Sequence, residues 1–188
     1  MLSKYRVIAL VGLSGVGKST LLRQISVNAP FIHLEASNLI KSELRLQSQE
    51  TSSEELRRGD IAHNQELLVS AFHRAIDGRD GPFILDGHVL IDTDAGITDI
   101  PSIVFGKLGV ELFCFVQAAP EQIVARRLSD EVRIRPRRDV DEISAHQDLA
   151  LIVCGRIARE LNVPAIVITP EAPDLFLAAL TATRKDQG

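Results

Sequence analysis

Five short runs of apolar residues recur along the chain, separated by stretches with helical periodicity or turn residues. The runs are almost continuously apolar instead of alternating, which is typical of parallel strands buried on both faces. They cover residues 6–11, 31–34, 82–85, 110–116 and 165–168. Because strands that alternate with helices form a parallel sheet with right-handed crossovers, the pattern predicts an α/β protein.

Apolar residues at helical spacing fill the intervals between these runs. The clearest example covers residues 61–76, where one apolar face ends at Asp77-Gly78. Shorter helices are predicted over residues 19–27, from 39 onward, 102–107, 121–128 and 174–183. We interpret residues 89–100 as a loop, because Asp92, Asp94, Gly96 and Asp99 punctuate them.

A long helix is predicted between the last two strands, with a single apolar face. The face consists of Ile143, Leu149, Ile152, Val153, Ile157 and Leu161. Spacing of this kind predicts that the helix packs against the sheet along this face.

Residues 12–20 follow the first strand and read Gly-Leu-Ser-Gly-Val-Gly-Lys-Ser-Thr. This is the G-x-x-x-x-G-K-S pattern of a phosphate-binding loop between a strand and a helix. Glycines let several backbone N–H groups point at a phosphate, and the following helix adds the positive end of its dipole. The alternative is a glycine-rich turn that only joins strand to helix.

Within this loop the pattern assigns separate tasks. Lys18 is expected between the β- and γ-phosphates, and the Ser19 hydroxyl is expected to bind Mg²⁺. Thr20 is expected to pack or to cap the helix start. The predicted nucleotide-binding residues of the loop are Gly12, Ser14, Gly15, Val16, Gly17, Lys18, Ser19 and Thr20.

Composition fits one domain over residues 1–188. The chain has 188 residues, 45% of them hydrophobic and 24% charged, which suits one α/β domain with a sizeable core. The net charge of −4 gives no general reason to expect nucleic-acid or membrane binding. The chain has only two cysteines, no room for a signal peptide before the first strand and no long apolar run. We therefore expect a cytoplasmic protein.

Asp86 and His88 follow the third predicted strand. An acid at the carboxyl end of a strand beside the phosphate-binding loop is the expected Mg²⁺ partner, held directly or through water. The alternative is that Asp86 only starts an Asp-Gly turn. His88 is expected to position an attacking oxygen or a phosphate, unless its imidazole hydrogen-bonds locally.

Arginines are concentrated between two predicted helices. Six of them lie within thirteen residues: Arg126, Arg127, Arg133, Arg135, Arg137 and Arg138. So many guanidinium groups repel one another unless anions lie among them, which favours a flap that closes over transferring phosphates. The alternative is a solvated loop paired with its own acids.

The chain resembles the P-loop nucleoside monophosphate kinases, and more closely archaeal-type adenylate kinases. The resemblance covers nearly the whole chain. It rests on the phosphate-binding loop, on Asp86-Gly87-His88, and on residues 126–135, which look like that family's short R-R-x-S-D-E-x-R-x-R lid.

This resemblance implies a five-stranded sheet in the order 2-3-1-4-5, ATP on the phosphate-binding loop, and Mg²⁺ on Ser19 and Asp86. It implies AMP as acceptor in a region of about 34–76, and a lid at about 126–139. It also implies catalytic roles for Lys18, Asp86, His88, Arg126, Arg133 and Arg135, with Arg127 also binding the nucleotide.

Two departures from the family pattern affect the acceptor site. Many relatives grip the acceptor phosphate with Pro-Arg after Asp-Gly, where this chain has His88-Val89. Lys41 stands where an arginine is usual, although Arg45, Arg57 and Arg58 lie nearby in sequence. Two other functions therefore stay open: a kinase of another small hydroxylated metabolite, and an ATPase switch that acts on a protein or RNA partner.

Overall fold

A five-stranded parallel sheet forms the centre of the computed structural model, which describes residues 6–47, 51–52, 55–56, 59–93, 96–130 and 137–182. Its strands are β1 (Val7–Val11), β2 (Ile32–Glu35), β3 (Phe83–Asp86), β6 (Leu112–Val116) and β7 (Ala165–Ile168). They are ordered β2-β3-β1-β6-β7, and neighbouring strands pair in parallel. Counting the sheet strands alone, this is the expected order 2-3-1-4-5.

Helices cover both faces of the sheet and connect its strands. They are α1 (Lys18–Ile25), α2 (Ala36–Leu46), α3 (Ile61–Ile76), α4 (Ser102–Lys107), α5 (Pro120–Leu128), α6 (Val140–Glu160) and α7 (Asp174–Thr181). The α3 and α4 bounds agree with the sequence prediction. Helices α2 and α3 pack together, and Arg74 makes a bidentate ion pair with the buried Glu43 at 2.7 and 3.2 Å.

The three central strands are buried throughout, which explains their continuous apolar runs. Edge strands β2 and β7 are only partly buried. Phe83 and Phe113 are fully buried, and Phe113 meets Phe105 edge to face with ring centroids 5.2 Å apart. This rigid centre fixes the carboxyl ends of β1, β2 and β3 along one edge of the sheet.

The prediction of a loop over residues 89–100 was wrong. Strands β4 (Leu90–Thr93) and β5 (Gly96–Asp99) pair antiparallel, with Thr93 opposite Gly96. Asp and Gly disfavour strands on average, but pairing between two segments only two residues apart outweighs that preference.

The predicted face of α6 was partly wrong. Leu149 is 39% exposed and Ile152 is 67% exposed, whereas Ile143, Val153 and Ile157 are buried as expected. Small side chains that the pattern did not count complete the buried face: Ala150, Cys154 and Ala158. Small residues let a helix approach the sheet closely, so volume as well as hydropathy decides which face is buried.

Candidate active site

The phosphate-binding loop leaves the buried end of β1 and runs directly into α1. Gly12, Gly15 and Gly17 have φ values of +150°, +90° and +109°, a region that favours glycine. A Cβ on Gly12 would lie 2.4 Å from the Val116 carbonyl oxygen at the end of β6. The loop therefore has this shape only with glycine at these positions.

The first turn of α1 begins directly after the glycines of the loop. Gly17 caps the helix in a left-handed conformation, and as a glycine it has no side chain that could accept a hydrogen bond from the first N–H groups. The N–H groups of a first helical turn and the helix dipole favour a phosphate at this position. Ser19 and Thr20 are exposed on this turn, so the expectation that Thr20 packs or caps the helix was wrong.

Lys18 lies beneath the loop and is 8% exposed. Its Nζ donates to the Gly12 carbonyl at 3.1 Å and lies 3.7 Å from Asp86 Oδ1. A buried ammonium needs such partners, because water is excluded from it. These contacts hold the positive charge between the loop and the end of β3.

Asp86 ends β3, directly beside Leu10 of β1 and Glu35 of β2 in the sheet register. Its Oδ2 lies 3.4 Å from His33 Nε2, whereas Lys18 lies nearest its other oxygen, Oδ1. Burial alone would raise the pKa of Asp86, but the Lys18 charge and the His33 hydrogen bond outweigh it, and the pKa lies below its usual range. The carboxylate is therefore ionised at neutral pH.

His88 is brought to the loop because pairing between β3 and β1 continues past Asp86. The Gly87 N–H donates to the Leu10 carbonyl at 3.1 Å, and His88 Nδ1 lies 2.7 Å from the Gly12 carbonyl oxygen. Desolvation and the Lys18 charge lower the pKa of His88. Both causes favour a neutral ring. Since a carbonyl only accepts, Nδ1 carries the proton and Nε2 is left as an acceptor.

Arg126 and Arg127 of α5 hold the outer side of the loop. Arg126 donates to the Val16 carbonyl at 2.7 Å, and Arg127 donates through Nε to the Ser14 carbonyl at 2.9 Å. Arg126 also lies 3.9 Å from Glu171 in the connection after β7. The arginines expected at the nucleotide are therefore placed beside the loop, and both donate to its backbone carbonyls.

Two predicted catalytic residues, Arg133 and Arg135, lie outside the described residues, as do Arg57 and Arg58. Arg138 is described, and it is held away from the loop. It pairs with Asp92 of β4 at 3.0 Å and with Glu142 of α6 at 3.3 Å. Arg138 therefore follows the alternative stated above, in which the arginines pair with the chain's own acids.

His33 is one residue of the site that sequence reasoning missed. Spacing along the chain gave no reason to connect it with Asp86, 53 residues later. Only the order of the strands could have predicted this contact. The resemblance implied that strand two lies beside strand three, and this brings residues near the carboxyl ends of the two strands together. Gln147 of α6 was missed too; its amide makes two hydrogen bonds, at 3.1 and 3.0 Å, with the backbone of Ala118 before α5.

Within the described ranges, no three His, Cys, Asp or Glu side chains are grouped so that they could hold a metal ion. A Mg²⁺ bound by one or two oxygen ligands plus substrate phosphates needs no such group. Among the same residues, no helix is both long enough and apolar enough to cross a bilayer.

Comparison with known proteins shows which family the chain is similar to. The family described as AAA domain matches residues 11–144. An adenylate kinase of Thermococcus kodakarensis is 31% identical over 147 residues, which cover 76% of this chain and 75% of the relative. An adenylate kinase of Pyrococcus furiosus is 28% identical over 147 residues, with the same coverage.

Among solved structures, a shikimate kinase from Bacteroides thetaiotaomicron is similar, with a TM-score of 0.48, 17% identity and 85% of each chain covered. The family match and the first adenylate kinase both cover more than two thirds of the chain. The chain therefore belongs to the AAA domain family, and it is an ATP-using phosphotransferase of the P-loop nucleoside monophosphate kinase type.

Proposed function

We propose that the protein transfers the γ-phosphate of Mg²⁺-bound ATP to AMP and releases two molecules of ADP. The observation that carries this proposal is that Lys18 and His88 both meet the Gly12 carbonyl of the phosphate-binding loop, and that Lys18 also pairs with Asp86. The names of the adenylate kinase relatives support AMP as the acceptor.

On the donor side, the loop N–H groups and the start of α1 bind the β- and γ-phosphates of ATP. Lys18 then exchanges its contacts with Gly12 and Asp86 for the phosphate oxygens, where its charge offsets the charge that builds up during transfer. Arg126 and Arg127 keep the loop in shape through its carbonyl groups. We also place the adenine near these arginines and the 169–171 connection.

The residues at the loop fit a Mg²⁺ ion. Ser19 offers an exposed hydroxyl and Asp86 an ionised carboxylate, and these are the hard oxygen ligands that Mg²⁺ prefers. When bound, Mg²⁺ neutralises charge on the phosphates. In this proposal Ser19 and Asp86 hold the ion in place, and Asp86 acts directly or through a water molecule.

Transfer forms one bond from an AMP phosphate oxygen to the γ-phosphorus and breaks the bond from that phosphorus to the β-γ bridging oxygen. The acceptor oxygen is already ionised, so no strong general base is needed. His88 Nε2 is free to accept a hydrogen bond that orients the acceptor. We assign neutralisation of the transferring group to Lys18, Arg133 and Arg135.

The acceptor site is proposed to lie along β2, α2 and α3. Lys41 and Arg45 are the basic residues of α2, and Arg57 and Arg58 follow it in sequence. These cations take the place of the Pro-Arg pair that many nucleoside monophosphate kinases carry after Asp-Gly. Because the position of this charge differs from the usual pattern, the identity of the acceptor is tested directly.

The test is a screen of AMP, GMP, CMP and UMP with ATP and Mg²⁺, with products separated by chromatography and a reaction without acceptor as control. Lys18→Met, purified identically, measures any contaminating host kinase. We expect ADP to form with AMP and to require the wild-type chain. Activity with another monophosphate only, or phosphate release without any acceptor, would overturn the choice of AMP.

A further inference from the structure

His33 of β2 reaches the carboxylate that is proposed to hold the metal. Its sheet partner on β3 is Ile84, two residues before Asp86. Side chains two residues apart on a strand share a face, and paired residues on neighbouring strands point to the same face. His33 and Asp86 therefore lie on one face of the sheet, and Nε2 is 3.4 Å from Oδ2.

The two oxygens of Asp86 are contacted by very different groups. Oδ1 faces Lys18, a long side chain with several rotatable bonds, and Oδ2 faces His33, a rigid ring with two. When a triphosphate occupies the loop, Lys18 is drawn towards it. His33 stays, because β2 is part of the sheet and does not depend on the nucleotide.

We propose that His33 is a positioning residue, which donates from Nε2 to Asp86 Oδ2 and thereby keeps Oδ1 facing the phosphate-binding loop after Lys18 has moved to the nucleotide. This inference rests on the proposed use of Asp86 as a Mg²⁺ partner. Hydrogen-bond partners that orient carboxylate and imidazole ligands typically change metal affinity by about 10- to 100-fold when they are removed.

A purely structural role for His33 makes a different prediction. The His33 side chain is 38% exposed, so its hydrogen bond contributes little to the free energy of unfolding. Loss of the donor should then change the orientation of Asp86 much more than it changes stability. If His33 were only structural, its loss would instead lower stability more than it changed the orientation of Asp86.

Three variants separate these roles. His33→Phe keeps a ring and removes the donor, whereas His33→Gln places an amide N–H near the position of Nε2. His73→Phe is the matched control, because His73 Nε2 also makes a polar contact, 2.8 Å from the Lys107 carbonyl, but on α3 and away from the loop. His33→Asn, whose amide is too short to reach Oδ2, serves in place of His33→Phe should that variant fail to fold.

The experiment measures Mn²⁺ affinity by electron paramagnetic resonance in the presence of a non-hydrolysable ATP analogue, and analogue affinity without metal by calorimetry. We expect His33→Phe to weaken Mn²⁺ binding about 10-fold or more, with metal-free analogue affinity and thermal midpoint close to wild type. We expect His33→Gln to restore most of the metal affinity and His73→Phe to leave it unchanged.

Wild-type Mn²⁺ affinity in His33→Phe would overturn the inference and leave the proposed function standing. Equal loss in His33→Phe and His33→Gln, or a loss of stability that accounts for the change, would also overturn it, since neither points to the donor. Failure of Asp86→Asn to weaken Mn²⁺ binding would instead remove the proposed metal role of Asp86, so the two failures are distinguishable.

Discussion

Replacing Lys18 by Met removes the positive charge closest to the buried Asp86 carboxylate while keeping a similar length of side chain. The Lys18 and Asp86 side chains are only 9% and 11% exposed, so water screens the pair little. At 3.7 Å and an effective dielectric constant of about 20, their attraction is about 4.5 kcal/mol. Part of this is offset because both groups lose hydration on burial.

A double-mutant cycle isolates the interaction between the two side chains. It compares the free energies of unfolding of wild type, Lys18→Met, Asp86→Asn and the double variant, without nucleotide. We expect a coupling energy of about 2 to 4 kcal/mol at pH 7, since each single change leaves the other group buried without its partner. The double variant should be more stable than the sum of the two single effects predicts.

The pH dependence of the Lys18→Met effect provides a second check. The pKa of Asp86 is lowered in the folded state, so its stabilisation is complete above its unfolded value and is lost as pH falls through the folded value. Without Lys18 that pKa rises, so the destabilisation of the variant should shrink as acid protonates the carboxyl. Urea unfolding measures both quantities. A coupling energy below about 0.5 kcal/mol at pH 7, or a destabilisation that does not change with pH, would refute the reasoning.

Two further predictions concern the loop. Gly12→Ala should lower the free energy of unfolding by at least about 2 kcal/mol more than Gly78→Ala does. Both positions have positive φ, but only at Gly12 does an added Cβ meet a backbone oxygen. At Gly78 nothing lies within 4 Å of the added Cβ. Similar losses in urea unfolding would argue against the tight contact. In ¹⁵N NMR, the His88 ring should stay neutral and protonated on Nδ1 from about pH 8 to 5.5. Lys18→Met should raise the pKa of His88 towards about 6.5. A His88 titration midpoint near 6.5 in the wild type would contradict the proposed environment.

Local sequence was sufficient wherever neighbouring residues decide the structure. The phosphate-binding loop was predictable because its glycines, the preceding apolar strand and the following helix lie within about 20 residues. The prediction that Asp86 lies beside the loop needed one further step, the adjacency of strands one and three, and the register of β1 with β3 confirms that adjacency.

Other features depended on pairing and packing between segments, which the sequence of one segment does not reveal. The Asp- and Gly-containing segments of β4 and β5 become strands because they pair with each other, not because of their composition. On α6, the buried face includes Ala150 and Cys154, whose small size suits close packing. By hydropathy alone, Ala150 and Cys154 were no better candidates for the buried face than Ile152.

The amino-acid sequence by itself determined the type of fold, the phosphate-binding loop and the presence of an acid and a histidine after the third strand, because these follow from local periodicity, backbone freedom and residue chemistry. Only the tertiary structure decided that His33 contacts Asp86, that Arg126 and Arg127 bind loop carbonyls, and that Arg138 pairs with Asp92. Such contacts join residues from different parts of the chain, and their partners are chosen by sheet register and helix packing, which no short stretch of sequence specifies.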